Sequence, residues 1–247
     1  MRSIAIIQAR MNSSRLPGKV MLDLCGKTVL SHVVGRVQAC EAIDQVVVAT
    51  TDQTIDKEIV AEAQKLGVGV YCGSENDVLE RYYRAAKSFR AEIITRVTAD
   101  CPLFDPVVLS CMLVEFKRIL STGFENVYVT NNRVRTYPRG LDVEVFSFAA
   151  LEKANQRARL GFEREHVTQY MHRHKDEFVL YDFKNSEDYS DYRWTLDTPE
   201  DFNFIETVYS ELYKEGKVVS TDEVLSLLKN KPELCELNAD VKQKKIE

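Results

Sequence analysis

Residues 4–19 read IAIIQARMNSSRLPGK. Ile4 to Ile7 is a short, continuous apolar run, and it predicts a strand buried on both faces. Behind it, Gln8 to Lys19 gathers Arg10, Arg15 and Lys19 with Ser13, Ser14 and Gly18 into a turn-prone stretch that holds no acid. A helical period follows at Val29, Leu30, Val33, Val34 and Val37. Strand, basic loop and helix in that order open a βαβ unit. Similar apolar runs at Val46 to Val48 and Ile93 to Val97 predict that the unit repeats. The helical patterns of Ile55 to Leu66 and Val78 to Phe89 fall between them. Right-handed crossovers at this spacing give a parallel sheet.

Further on, Asp105 and Pro106 read as the cap and first residue of a helix running to Leu120. Strands are predicted at Val127 to Thr130 and Val143 to Phe146, and helices from Ser147 and over Phe162 to His172. A late strand is predicted over Tyr192 to Leu196. Thr198, Pro199, Glu200 and Asp201 then make a capping box for a helix through Leu212. The expectation is one α/β domain over residues 1–231, a mostly parallel sheet with helices on both faces. A substrate or dimerisation lobe is expected at 130–192, and a polar, frayed tail at 232–247.

The chain has 247 residues, 45% of them apolar and 29% charged, with 33 basic and 38 acidic side chains, for a net charge of −5. A negative total argues against general nucleic-acid binding, which is built from clustered Lys and Arg. Six cysteines without a C-x-x-C pair argue against a zinc ribbon and a disulfide scaffold, and fit reduced thiols in a cytoplasm. No run approaches the roughly eighteen apolar residues of a membrane span, and Ile4 to Ile7 is too short for a signal-peptide core.

In an open α/β sheet, ligands bind beyond the carboxyl ends of the strands. The loop after the first strand suits a polyphosphate, with its cations, hydroxyls and backbone-exposing glycine; a merely solvated basic loop is the competing reading. Thr98, Ala99, Asp100, Cys101 and Pro102 follow the Ile93 to Val97 strand, and Asp197 follows the late one. Two such aspartates would suit Mg2+, which takes one or two carboxylates together with substrate phosphates. Asp197 can equally serve the helix N-terminus, where a carboxylate is worth about 0.3–1 kcal/mol. Asp77 with Glu80 reads either as a capping pair or as part of the site. Gly26, Lys27 and Thr28 imitate the end of a phosphate-binding loop, but Met21 stands where that motif needs glycine. Gly67, Gly69 and Gly73 have the wrong spacing for a dinucleotide fingerprint and read as a helix stop and turns. His166, His172 and His174 lack a fourth ligand for zinc.

QARMNSSRLPGK (Gln8 to Lys19), TADCP (Thr98 to Pro102) and RWTLDTPED (Arg193 to Asp201) resemble the sugar cytidylyltransferases, the group of the CMP-Kdo and CMP-sialic acid synthetases. GSENDVLERYYRAA (Gly73 to Ala86), YPRGLDVEVFS (Tyr137 to Ser147) and EREHVTQY (Glu163 to Tyr170) are similar to the branch called spore coat polysaccharide biosynthesis protein F. The resemblance spans about Ile4 to Leu212. It implies a Rossmann-like nucleotidyltransferase fold that binds CTP with Mg2+. It further implies transfer of CMP to a sugar of the nonulosonic or Kdo-acid type, with release of pyrophosphate, in surface polysaccharide biosynthesis.

Carried over residue by residue, Arg10, Ser13, Arg15 and Lys19 would hold the triphosphate, within a nucleotide set completed by Gln8, Ala9, Asp77 and Thr98. Asp100 and Asp197 would bind the metal. Arg10, Arg15, Lys19 and Asp100 would carry the catalysis. Tyr137, Arg139, Gly140, Asp142, Glu144, Glu165 and His166 would line the sugar pocket, and His166 is a candidate base. The CMP-Kdo synthetases have Gln two positions before the metal aspartate, where Thr98 stands here, which leaves the cytosine contact open. The family expectation is a homodimer. A glycosyltransferase using a nucleotide sugar would show Asp-x-Asp at a strand end, and Asp142-Val143-Glu144 is the nearest approach. A non-catalytic nucleotide-binding homologue is the third reading.

Overall fold

The computed structural model describes residues 1–244. β1 (Ser3–Gln8) is buried along almost its whole length, as its uninterrupted apolar run predicts. After the basic loop come a short ribbon, β2 (Asp23–Leu24) with β3 (Lys27–Thr28), and α1 (Val29–Gln38), whose Ser31 N donates to the Thr28 hydroxyl. β4 (Gln45–Thr51), α2 (Lys57–Lys65) and β5 (Gly69–Gly73) follow. α3 (Val78–Ser88) leads into β6 (Ile93–Thr98), and α4 (Pro106–Leu120) starts at the predicted Asp105 cap and Pro106. The second half contributes β7 (Val127–Thr130), β8 (Glu144–Ser147), α5 (Phe148–Arg157), α6 (Gly161–Glu165), α7 (Gln169–Arg173) and β9 (Val179–Asp182). α8 (Pro199–Leu212) has the predicted capping box at Thr198 and Asp201, and α9 (Thr221–Asn230) follows it.

Seven strands form one sheet in the order β5-β4-β1-β6-β8-β7-β9. All are parallel except β8, which runs antiparallel between β6 and β7. The chain first moves outward from β1 through β4 to β5, then returns to the other flank of β1 with β6. The strand order therefore reverses between β1 and β6. That reversal opens a crevice at the carboxyl edge, where open α/β sheets take their ligands. Gln8 and Thr98 are ladder partners at this edge.

Apolar side chains fill both faces of the sheet. One layer packs α1, α2 and α4 against it, the other α3, α5 and α7. A third cluster lies beyond the strand ends, where Trp194 and Leu196 are buried against Phe204, Ile205 and Val208 of α8.

Five expectations are corrected. Tyr192 to Leu196 is extended but lies outside the sheet, with a single bridge from Arg193 to Arg139, because its apolar side chains face α8. Phe162 to His172 is two short helices rather than one, broken where Val167 takes a φ of +55°. Gly69 and Gly73 are the ends of β5, while Gly67, at φ +70°, is the helix stop. The stretch 130–192 does not fold apart, since β8 and β9 are strands of the common sheet. The tail is packed over Pro232–Asn238, a 3-10 segment whose Leu234 and Leu237 join the third cluster. The last tail residues, 245–247, lie outside the described residues.

Candidate active site

The basic loop is held by its backbone. Met11 N donates to Asp56 Oδ1 (2.8 Å), and the same buried carboxylate accepts from Thr50 and Thr51 at the end of β4. Ser13 N and Gly18 N both donate to Met11 O at 2.9 Å, which folds the loop back on itself. Gly18 has φ +70°, a conformation that costs glycine little. The turn ends with Lys19 opening a 3-10 segment, its side chain directed inward and 8% exposed.

Lys19 Nζ donates to Asp100 Oδ2 (2.6 Å), Asp197 Oδ1 (2.8 Å) and Leu196 O (2.7 Å). Its three N–H groups are thus all engaged. Two acids separated by nearly a hundred residues of chain converge on one ammonium. Burial opposes the charge of Lys19, but the two carboxylates outweigh it and its pKa is raised. Burial likewise pushes the Asp100 carboxyl up, and Lys19 more than reverses this, so its pKa is lowered.

Asp197 is positioned from the other side. Its Oδ2 accepts from Arg15 Nη2 and Arg193 Nη2, both at 2.9 Å. Arg193 forms a fork with the fully buried Asp201 (2.8 and 2.9 Å), whose Oδ2 also accepts from Asp197 N and Thr198 N. Asn238 of the tail donates to Arg193 O and Asp201 Oδ1, each at 3.0 Å. The capping-box expectation holds, with Asp201 serving the helix N-terminus, while the Asp197 carboxylate faces Lys19, Arg15 and Arg193.

The donor set fits a magnesium ion. Among the described residues no cluster of three or more His, Cys, Asp or Glu side chains could hold a metal. Mg2+ is nonetheless bound through one or two carboxylates when substrate phosphates complete its shell, and Asp100 and Asp197 form such a pair on either side of Lys19. Asp100 Oδ1 meets the Cys101 thiol at 3.6 Å, a weak donor, and the carboxylate is 23% exposed, which leaves it able to meet a cation.

The other expected residues divide into two groups. Arg10 is half-buried and has no ion-pair partner among the described residues. Its charge reaches Arg81 and His166. Ala9 is buried beneath the loop, and Ser13 is partly exposed on it. His166 is half-buried, its pKa lowered chiefly by burial and then by Arg96, Lys244 and Arg10, despite Glu165. Glu165 itself is exposed. Asp142 pairs with Arg135 and lies close enough to Cys101 to raise that thiol's pKa, after burial and Asp100.

The remaining expected residues are engaged by the protein itself. Asp77 caps α3, accepting from Glu80 N at 3.0 Å, and forms a fork with Arg164. Tyr137 is a core residue whose ring stacks on Phe183 with centroids 6.2 Å apart. Gly140, at φ +107°, lies so close to Trp194 that a Cβ would fall 2.5 Å from that residue's carbonyl carbon. Glu144 is 3% exposed and bonds to Arg96, Tyr128 Oη (2.6 Å) and Thr168 Oγ1 (2.6 Å).

Sequence reasoning missed Arg81, Arg96 and Arg193. Arg81 is 1% exposed, and its Nε and Nη2 have no partner among the described residues. Its signal was present: an arginine within the apolar face of α3, between Val78 and Ala85. A cavity of about 720 Å3 lies between residues 188–194 and the tail, lined by Arg139, Tyr192, Arg193, Trp194, Asn238 and Gln243. Arg193 thus forms part of both the cavity wall and the acid pair.

A family model described as cytidylyltransferase matches residues 4–246. The spore coat polysaccharide biosynthesis protein SpsF of Bacillus subtilis is 32% identical over 235 residues, covering 92% of this chain and 94% of its own. A solved cytidylyltransferase from Leptospira borgpetersenii superposes with a TM-score of 0.90 at 35% identity, over 99% of this chain and 100% of that one. The fold is also that of a CMP:2-keto-3-deoxy-manno-octonic acid synthetase solved with CTP, at TM-score 0.63 and 18% identity over 85% of this chain and 99% of the other. With an acid pair, a basic loop and a strand-order reversal at one edge, and with matches of this extent, the chain belongs to the cytidylyltransferase family and is a nucleotidyltransferase.

Proposed function

We propose that this enzyme transfers CMP from CTP to a hydroxyl of a sugar acid of the Kdo or nonulosonic type, releasing pyrophosphate, with Mg2+ held at Asp100 and Asp197. The observation that carries the reading is the convergence of those two carboxylates on Lys19 beside the basic loop. The names of the relatives, a spore coat polysaccharide protein and 3-deoxy-manno-octulosonate cytidylyltransferases, support a sugar-acid acceptor and a place in surface polysaccharide synthesis. Arg139 adds support, because it lines the cavity and has no carboxylate partner among the described residues. It suits the carboxylate of such an acceptor, a group that arginine binds through two parallel bonds.

In the reaction a sugar oxygen attacks the α-phosphorus and the bond to pyrophosphate breaks in line with it, so positioning and charge neutralisation dominate. The metal would polarise phosphoryl oxygen and neutralise developing charge. Arg10, with Arg81 behind it, supplies cations that no protein acid consumes among the described residues. Lys19 and Arg15 keep the two aspartates paired and aimed at the crevice. His166, neutral at pH 7 because burial lowers its pKa, is suited to accept the hydroxyl proton.

A glycosyltransferase reading is disfavoured by Glu144, which is 3% exposed and bonded to Arg96, Tyr128 and Thr168, so that Asp142-Val143-Glu144 does not present two open carboxylates. The test is a pyrophosphate-release screen of CTP, UTP, ATP and GTP against Kdo, sialic, legionaminic and pseudaminic acids. Release with CTP and one of these acids is expected. Release only with a nucleotide sugar, or with none of the acids, would overturn the assignment.

A further inference from the structure

Gln8 is the last residue of β1, at the reversal of strand order, and its ladder partner across the crevice is Thr98. Residues paired in this way project to the same face of the sheet, so these two side chains flank the entrance together. Thr98 offers only a hydroxyl, which lies 3.4 Å from Cys101 Sγ. Gln8 offers a carboxamide, and its orientation is fixed. Arg96, two residues before Thr98 on the same face of β6, donates through Nη2 to Gln8 Oε1 at 3.3 Å. A guanidinium has donors and no acceptor, so only the oxygen end of the amide can face it.

Arg96 is itself held: Nη1 donates to the buried Glu144 carboxylate, and its guanidinium lies 5.9 Å from the Tyr82 ring centroid. Glu144 is in turn held by Tyr128 and Thr168. The NH2 end of Gln8 has no partner among the described residues, and it is not among their buried, unpartnered atoms.

We propose that Arg96 orients the Gln8 carboxamide so that its NH2 faces the nucleotide base, and that this amide selects cytosine over uracil. The inference deepens the reading given above and rests on it. Cytosine presents two adjacent acceptors, O2 and N3, to such a donor. Uracil keeps O2 as an acceptor but carries a proton on N3, so an NH2 aimed at N3 meets a lone pair in cytosine and a second donor in uracil. A site built to hydrogen-bond one edge rejects the analogue that cannot reciprocate, because its own polar group is then left unpaired. Gln8 is the specificity residue and Arg96 a positioning residue.

Calorimetric binding of CTP and of UTP with Mg2+ tests this without knowledge of the acceptor. Wild type is expected to bind CTP at least about tenfold more tightly than UTP. Gln8→Glu keeps the partner of Arg96 but replaces NH2 by an acceptor, and should move the CTP:UTP ratio by about 100-fold towards UTP. Arg96→Lys preserves a charge for Glu144 but not the two-point hold, and should lower the ratio by about tenfold while leaving UTP binding unchanged. This second variant keeps the test sharp if the first fails to fold, and a purely structural role for Arg96 would weaken both nucleotides alike. A wild-type ratio retained by either folded variant, or equal wild-type binding of the two nucleotides, overturns the inference and leaves CMP transfer standing. Failure of wild type to bind CTP at all removes both.

Discussion

Arg96 and Asp100 stand four residues apart in the chain, yet they belong to charge clusters of opposite design. Around Arg96 the acid is Glu144, 3% exposed, with Oε2 taken by the arginine and Oε1 by Tyr128 and Thr168. Around Asp100 the side chains are partly open, 23% exposed for Asp100 and 17% for Asp197, and Asp100 Oδ1 meets the Cys101 thiol at 3.6 Å. In the closed cluster both Glu144 oxygens are taken by buried or part-buried partners, whereas Asp100 Oδ1 meets only weakly bonding neighbours and stands nearer the solvent. An ion pair between neighbouring strands fixes the groups around it, whereas carboxylates gathered at the carboxyl edge can meet a cation and a phosphate. Location relative to the carboxyl edge of the sheet decides which role a cluster takes.

Substitutions can break this contrast, and the largest effect is expected in the closed cluster. Glu144→Gln leaves the part-buried Arg96 charge without a counter-ion and should cost roughly 3 kcal/mol in urea unfolding, the scale of breaking a buried pair from one side. A loss under about 1 kcal/mol would show that the two clusters are not different in kind. Asp100→Ala should show the reverse pattern. Turnover should fall by about 10²-fold, the scale of losing one transition-state contact, while the unfolding midpoint moves little because Lys19 keeps Asp197 and Leu196 O. Equal rates for this variant and wild type in excess Mg2+ would remove the metal assignment.

Two further tests sharpen the contrast. Lys19→Met removes the ammonium between two carboxylates, and should lower stability by about 2 kcal/mol in the presence of a chelator. Added Mg2+ should restore most of that loss, a response that Glu144→Gln should not share; thermal melting with and without Mg2+ reads both. The smallest effect concerns acid. Burial raises the pKa of Glu144 and Arg96 more than reverses it, so its folded value lies below the ordinary 4.5. The stability it contributes is present above that ordinary value and is lost as pH falls through the folded one. A melting curve against pH should therefore have a flatter acid limb in Glu144→Gln than in wild type.

The sheet was legible because its strands are short apolar runs and its helices carry a 3.6-residue period, signals that need only neighbours in sequence. Ile4 to Ile7, Asp105 with Pro106, and the Thr198 to Asp201 box were all read correctly for this reason. Tyr192 to Leu196 was not, since its extended, apolar pattern is the same whether it joins a sheet or spans two loops against α8. The tail was misjudged because Leu234 and Leu237 are too sparse to show a period, though they find a partner in the third cluster. The departure at Thr98 left the base contact open, and the register that sets Gln8 beside it is a property of strand pairing.

By itself, then, the sequence determined the βαβ order, the helix caps, the basic loop and the family. Only the tertiary structure decided which charges meet. It drew Lys19, Asp100 and Asp197 to one point, left Arg10 without an acid among the described residues, and paired Arg96 with Glu144 inside the sheet. The physical reason is range. Hydrophobic period and capping act within a few residues of chain. An ion pair depends instead on distance and dielectric, and both are set only when remote segments pack against one another.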